Sequence, residues 1–154
     1  MGLGRPSAGA PMRIPIAIVL CCLAIGCDQR PSEHPSAPAL VAESDRRAIA
    51  EAVWRYQIKQ VELGTGQRWY LKLQGADPSP ESLAAFPGLV APASDFKQGI
   101  GVQLSVETIE LTEEGAKVEG SWHRGGLDAE GYRYTLRQVG EAWEVTDAVM
   151  LWIA

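Results

Sequence analysis

The chain predicts an α+β domain: a long N-terminal helix packed on a curved antiparallel sheet of about four strands. Three observations carry this expectation. Ile49, Ala52, Val53, Tyr56 and Leu63 lie on one stripe at helical spacing. From Ile100 to the end the apolar period becomes two. Glycine-bearing turns then cut that stretch into consecutive strands, which favours hairpins and a meander with the helix on its apolar face.

Each element has its own local signals. Ser44 suits a helix cap, and Asp45 would face the positive end of the helix dipole. Glu51 and Arg55 are an i,i+4 pair in the favoured order. Gly64 and Gly66 stop the helix, which is expected from Asp45 to Leu63. Trp69, Leu71 and Leu73 share one face of a short strand. The run from Asp77 to Glu81 then turns into a second helix. Ser79 caps it, Pro80 takes the first helical position and Glu81 sits in the first turn. Leu83 and Phe86 should face the core, Pro87-Gly88 should end the helix, and 88–99 should be loop. Val102, Leu104 and Val106 share a face, whereas Ile109 and Leu111 have opposite parity. A bulge or bend is therefore expected near Glu107-Thr108. Thr112 to Gly115 is a hairpin turn. Ala116, Val118, Gly120 and Trp122 alternate on the next strand. Gly125 to Gly131 reads as a flexible connection. Tyr132, Tyr134 and Leu136 alternate on the third strand, Gly140-Glu141 turns the chain, and Trp143 and Val145 begin a fourth that runs to Ile153.

The N-terminus carries a separate message. Arg5 and Arg13 precede an apolar stretch from Ile14 to Ile25, and Gly26-Cys27 follows it. A positive leader, a short apolar core and a small residue before a cut are the layout of a secretory signal. The stretch is too short for a membrane-spanning helix, which needs ~20 residues. With Cys27 at the cut, Leu23 to Cys27 resembles the lipobox of bacterial lipoproteins, although Ala24 stands where that pattern favours leucine. The resemblance implies that Cys27 becomes the lipid-carrying first residue, with two or three acyl chains such as palmitate. It implies a cell-envelope location on the extracytoplasmic side of a membrane. Asp28 resembles a signal for retention on the inner membrane in some bacteria. The chain thus divides into a signal peptide (1–26), a proline-rich tether (27–42) and a single domain (43–154). Three prolines and few large apolar groups between Asp28 and Val41 cannot build a core. His34 reads as a solvated tether residue.

Charge and cysteine content narrow the function. Without the leader the chain keeps 12 basic and 19 acidic residues, a net charge of −7, and the signs are interspersed. There is no basic stripe, so nucleic acid is not an expected partner. All three cysteines lie at or before position 27, so the domain has no disulfide and no thiolate chemistry. One histidine, His123, is not a ligand set for zinc, and Glu113-Glu114 lacks the alternating oxygens of a calcium loop. No metal and no cofactor are expected.

Catalytic constellations are sparse. Ser121 and His123 share a strand face and Asp128 follows, but there is no nucleophile elbow. Gly125-Gly126 lacks the helix and lysine of a phosphate loop. Asp147 interrupts the alternation of Trp143, Val145 and Val149. An inward Asp147, near Tyr134 or Tyr56, is the best candidate for a catalytic acid or base, and the simpler alternative is a bulge or strand end at Thr146-Asp147 that turns the aspartate to water. Among the five tryptophans, Trp152 has parity opposite to Val149 and Leu151 and could cover an edge or mark a partner site.

The order of elements over 43–154 resembles the NTF2-like and cystatin-like group, which implies a sheet wrapped around a helix and, in some members, a pocket with an inward acid. The stretch from Gly131 to Ile153 also resembles uncharacterised exported proteins of no known activity. The cystatin loop is not matched: Gln60-Val61-Glu62-Leu63-Gly64 departs at its centre and ends a helix. The expected function is a non-enzymatic binding or accessory domain, lipid-anchored through Cys27 and meeting an envelope protein partner. The alternative is a small NTF2-like enzyme or ligand carrier with a pocket around Asp147.

Overall fold

The computed structural model describes residues 41–154 apart from Pro87, Leu89 and Gln98. The signal segment, Cys27 and the tether up to residue 40 lie outside the described residues. Helix α1 (Glu43–Gln60) is followed by β1 (Arg68–Leu73), the short helix α2 (Pro80–Ala84) and β2 (Val90–Pro92). Four long strands complete the fold: β3 (Gly101–Thr112), β4 (Gly115–Gly125), β5 (Asp128–Val139) and β6 (Ala142–Ile153). They form one six-stranded sheet in the order β2-β1-β3-β4-β5-β6. No described helix is long and apolar enough to cross a membrane.

The α+β class, the long helix on the sheet and the closing meander agree with expectation. The count of about four antiparallel strands does not. β1 pairs in parallel with both β2 and β3, so the sheet is mixed. β2 lies within the stretch expected to be loop, and a 3-10 turn, Ala93–Asp95, follows it. A three-residue strand ending in Pro92 has no readable period, and proline is tolerated there because β2 is an edge.

Local chemistry explains most boundaries. Ser79 caps α2 by accepting from the Ser82 amide at 3.3 Å, with Pro80 at the start. α1 begins one residue before Ser44, at Glu43. Ala42 is its cap and supplies no side-chain bond, so Ser44 is not the cap. The Val106/Thr108 bulge lies where the parity change required it. The β4–β5 connection is tighter than expected, because the two strands run on to Gly125 and Asp128. An Arg124–Asp128 ion pair at 3.0 Å closes it.

The core lies between α1 and one face of the sheet. Ile49, Ala50, Val53 and Trp54 of α1 are completely buried. They join Leu71, Val102, Leu104, Val106, Val118, Tyr134 and Leu136 in a single cluster. Phe86, delivered by α2, meets Trp54 edge-on at 6.1 Å and carries the Arg55 guanidinium 4.8 Å above its ring. The cross-strand rows on this face follow from register: Ala116–Leu136–Val145, Val118–Tyr134–Ala148, Gly120–Tyr132–Met150 and Trp122–Glu130–Ile153.

The opposite face is polar nearer β3 and apolar at β6. Gln103, Ser105 and Ser121 are buried there. Trp152 lies over Gly131, where an added Cβ would fall only 2.1 Å from the indole Nε1. Along the β6 edge Val149, Leu151 and Trp152 are exposed, as are Met150 and Ile153 at the ends of the core-face rows.

Removing a core side chain should cost far more than removing an edge one. Leu104→Ala is expected to destabilise the domain by about 2–5 kcal/mol, because the cavity adds to the lost transfer energy. Val149→Ala should stay within about 0.5 kcal/mol. Urea denaturation of the two variants checks the contrast, and equal costs would refute this placement of the core.

Candidate functional site

A cavity of about 390 Å³ opens between the end of α1 and the inner face of β4–β6. Tyr56, Gln57, Gln60, Val61 and Glu62 line it from the helix and the turn after it. Trp122, Arg124, Glu130, Tyr132, Tyr134 and Ala148 line it from the sheet. Alternation brings Glu130, Tyr132 and Tyr134 to this face from one strand. Gly120 sits opposite Tyr132, and its lack of a side chain lets Tyr134 and Gln57 pack close to β4. A Cβ there would lie 2.5 Å from the Ser105 carbonyl oxygen, 3.4 Å from the Tyr134 ring and 3.6 Å from Gln57 Nε2.

Two polar centres organise the cavity. Glu130 Oε2 accepts from Trp122 Nε1 at 3.2 Å and from the Tyr132 hydroxyl. Gln57, only 1% exposed, donates from Nε2 to the Ser121 carbonyl at 3.3 Å and to the Tyr134 hydroxyl at 3.2 Å. Its Oε1 is buried with no partner. Burial, then the hydrogen bond to Glu130 and that group's charge, push the Tyr132 phenol up to about 12. Burial raises Tyr134 further, against the lowering effect of its bond from Gln57. Both phenols therefore hold their protons throughout the neutral range. Tyr132 and Tyr134 stack at 5.9 Å, and Tyr56 meets Tyr134 edge-on at 5.7 Å. Arg124 is engaged at the rim, donating to Asp128 at 3.0 Å and to the Glu62 carbonyl at 2.8 Å.

Asp147, the acid singled out from the sequence, is not in this cavity. It is exposed, and its Oδ1 accepts from the adjacent Ala148 amide at 2.9 Å. The reason is a register shift: Leu136 pairs with Val145, but Thr135 pairs with Asp147. Thr146 is the extra residue, so Ala148 rather than Asp147 continues the inward row. The pocket with converging tyrosines exists, but its inward acid is Glu130. The alternation of Tyr132, Tyr134 and Leu136, run two residues back, would have found Glu130. It was hidden because Gly125 to Gly131 reads as connection.

The Ser121, His123 and Asp128 set is not joined. Ser121 Oγ donates to Glu107 at 2.7 Å, and Asp128 is held by Arg124. His123 packs edge-on against Phe96 at 5.1 Å, and Phe96 in turn meets Tyr70 at 5.3 Å. Among the described residues, no three potential metal ligands cluster. Comparison with known proteins finds no match: no family model, no curated protein and no solved structure.

Burial holds the His123 imidazole below its ordinary value of 6.5, Lys72 adds to this, and Glu107 opposes it. The unfolded chain thus takes up this proton before the folded one does. The stability from neutral His123 is complete above 6.5 and declines as pH falls from there through the lowered folded value. His123→Gln should flatten the loss of urea resistance between about pH 7.5 and 5.5. An unchanged slope in the variant would exclude His123 as its source.

Proposed function

We propose that this chain is an exported, lipid-anchored binding domain that holds a small ligand in the cavity between α1 and the sheet and performs no catalysis. The observation that carries the reading is the cavity itself, a concave site where Tyr56, Trp122, Tyr132 and Tyr134 stand among Gln57, Gln60, Glu62, Arg124 and Glu130. A concave site with aromatic side chains and converging polar groups is where a small molecule is held, and the polar share of this wall favours a polar ligand. Gln57 Oε1, buried and without a partner, supports it, because a buried acceptor is normally satisfied. The absence of catalysis is supported by the engagement of Ser121 with Glu107 and of Asp128 with Arg124. The two phenols keep their protons at neutral pH, so neither serves as a base. The helix laid on a bulged sheet, with a pocket at one end, supports an NTF2-like or cystatin-like assignment for residues 43–154.

The anchor rests on the sequence alone. Arg5, Arg13, the apolar run and Gly26-Cys27 support a signal peptide of residues 1–26, lipid on Cys27 and a tether over 27–42. One acyl chain binds a bilayer only marginally, so stable anchoring needs the two or three that such a signal implies. The domain would then stand off the extracytoplasmic side of a membrane.

Two measurements separate these claims. In bacterial cells, Cys27→Ala should move the protein from the membrane pellet to the soluble envelope fraction and abolish labelling by a palmitate analogue. Persistent membrane attachment of that variant would end the lipoprotein reading. For the cavity, a fragment screen by NMR of the ¹⁵N-indole groups should shift the Trp122 signal, identified by its loss in Trp122→Phe. Fragment binding confined to the β6 edge, with Trp122 unmoved, would remove the cavity as the site.

A further inference from the structure

Taking the cavity as a binding site, we infer that its ligand is an organic ammonium ion. Four features converge on a protonated amine: the C-terminal end of α1, the Glu130 carboxylate, the unpartnered Gln57 oxygen and the aromatic wall. The inference rests on the reading above and adds the chemical class of the ligand.

The electrostatics of the wall favour a cation. The C-terminus of an α-helix carries roughly half a unit of negative charge, and its last carbonyls lack intrahelical partners. α1 ends at Gln60, and the wall includes Gln57, Gln60 and Val61 around that end. Glu62 and Glu130 add two carboxylates. Arg124 is the cationic side chain of the wall, and its charge is already balanced by Asp128, which is not part of the lining.

Hydrogen bonding points the same way. Both bonds to Glu130 go to Oε2, which leaves Oε1 as an acceptor for a ligand. Gln57, a residue of the wall, commits both its bonds through Nε2, and its buried Oε1 has no donor. An N⁺–H group of a primary or secondary amine supplies the donors these oxygens lack. Tyr56 and Tyr132 line the same space, and a cation against an aromatic face gains further attraction, as Arg124 already does 6.0 Å from the Trp122 ring centre. Arg124 Nε, also buried without a partner, is the competing feature. An anion drawn to it would have to enter beside Glu62, Glu130 and the helix end.

The test uses the full chain and three probes of one shape: benzylamine, benzyl alcohol and benzoate. Benzylamine should shift the Trp122 indole signal and bind at least ~10-fold more tightly than the other two. Glu130→Gln and Gln57→Met should each weaken benzylamine by about 10-fold. Should either variant unfold, Glu62→Gln on the exposed rim must still weaken it by about twofold or more. Equal or tighter binding of benzoate or benzyl alcohol at Trp122 overturns the ammonium inference and leaves the cavity as a binding site. Benzylamine binding indifferent to all three variants overturns it as well. Silence at Trp122 from every probe overturns both readings. The same ammonium chemistry occurs in free amines and on aminophospholipid headgroups. Displacement of benzylamine by ethanolamine supports the first source, and displacement by phosphatidylethanolamine but not phosphatidylglycerol vesicles supports the second. Displacement by neither counts against the ammonium as the recognised group.

Discussion

A single helix covers one face of a sheet that it cannot fully cover. The 18 residues of α1 span about 27 Å, while a twelve-residue strand runs to about 40 Å. Ile49, Val53 and Trp54 seal the middle of that face, and their burial drives the docking of helix on sheet. Beyond Gln60 the helix no longer covers the inward row, and Trp122, Glu130 and Tyr132 are left around an open space. Core and cavity are therefore two parts of one interface. Where apolar side chains meet, the interface closes. Where Gln57, Gln60 and Glu130 stand in place of apolar groups, it stays open.

Interruptions of strand pairing decide which residues reach that interface. A strand alternates strictly, so one extra residue reverses every facing beyond it. The shift between Val106 and Thr108 returns Ile109 and Leu111 to the helix side, where they pack on the core. The shift opposite Thr135 and Leu136 sends Asp147 to solvent and brings Ala148 inward. A second shift, opposite Gly131 and Tyr132, places Trp152 against Gly131 on the outer face. Two candidate functional residues on β6 thus owe their positions to irregularities rather than to the strand period.

The polar groups of the cavity have a double role. Gln57 ties α1 to β4 and β5 through the Ser121 carbonyl and the Tyr134 hydroxyl, yet it leaves an oxygen unsatisfied. Leaving a buried acceptor bare costs about 1–3 kcal/mol. Satisfied polar networks specify a unique arrangement, and a buried group left unsatisfied is the exception that calls for an explanation. Glu130 is treated differently, since Trp122 and Tyr132 hold its carboxylate in place from two sides. A carboxylate fixed in this way has little freedom left to lose, which is the preorganisation that the proposed binding requires.

By itself, the sequence determined what local chemistry controls. The stripe of α1, the Ser79-Pro80 start of α2, the four meander strands and the parity change at Glu107-Thr108 all depend on residues close in the chain. Period and turn chemistry therefore report them. The aromatic character of the cavity was also legible, because Tyr132 and Tyr134 stand on an unbroken alternation. Tertiary structure alone decided three things. The parallel pairing of β1 with β2 and β3 depends on crossovers whose partners lie far apart in sequence. The exposure of Asp147 depends on a bulge that forms only because β5 and β6 pair in that register. The convergence of Glu130 with Gln57 depends on where a helix of fixed length ends over the sheet. Contacts between distant segments set all three, and no local pattern encodes the distance between them.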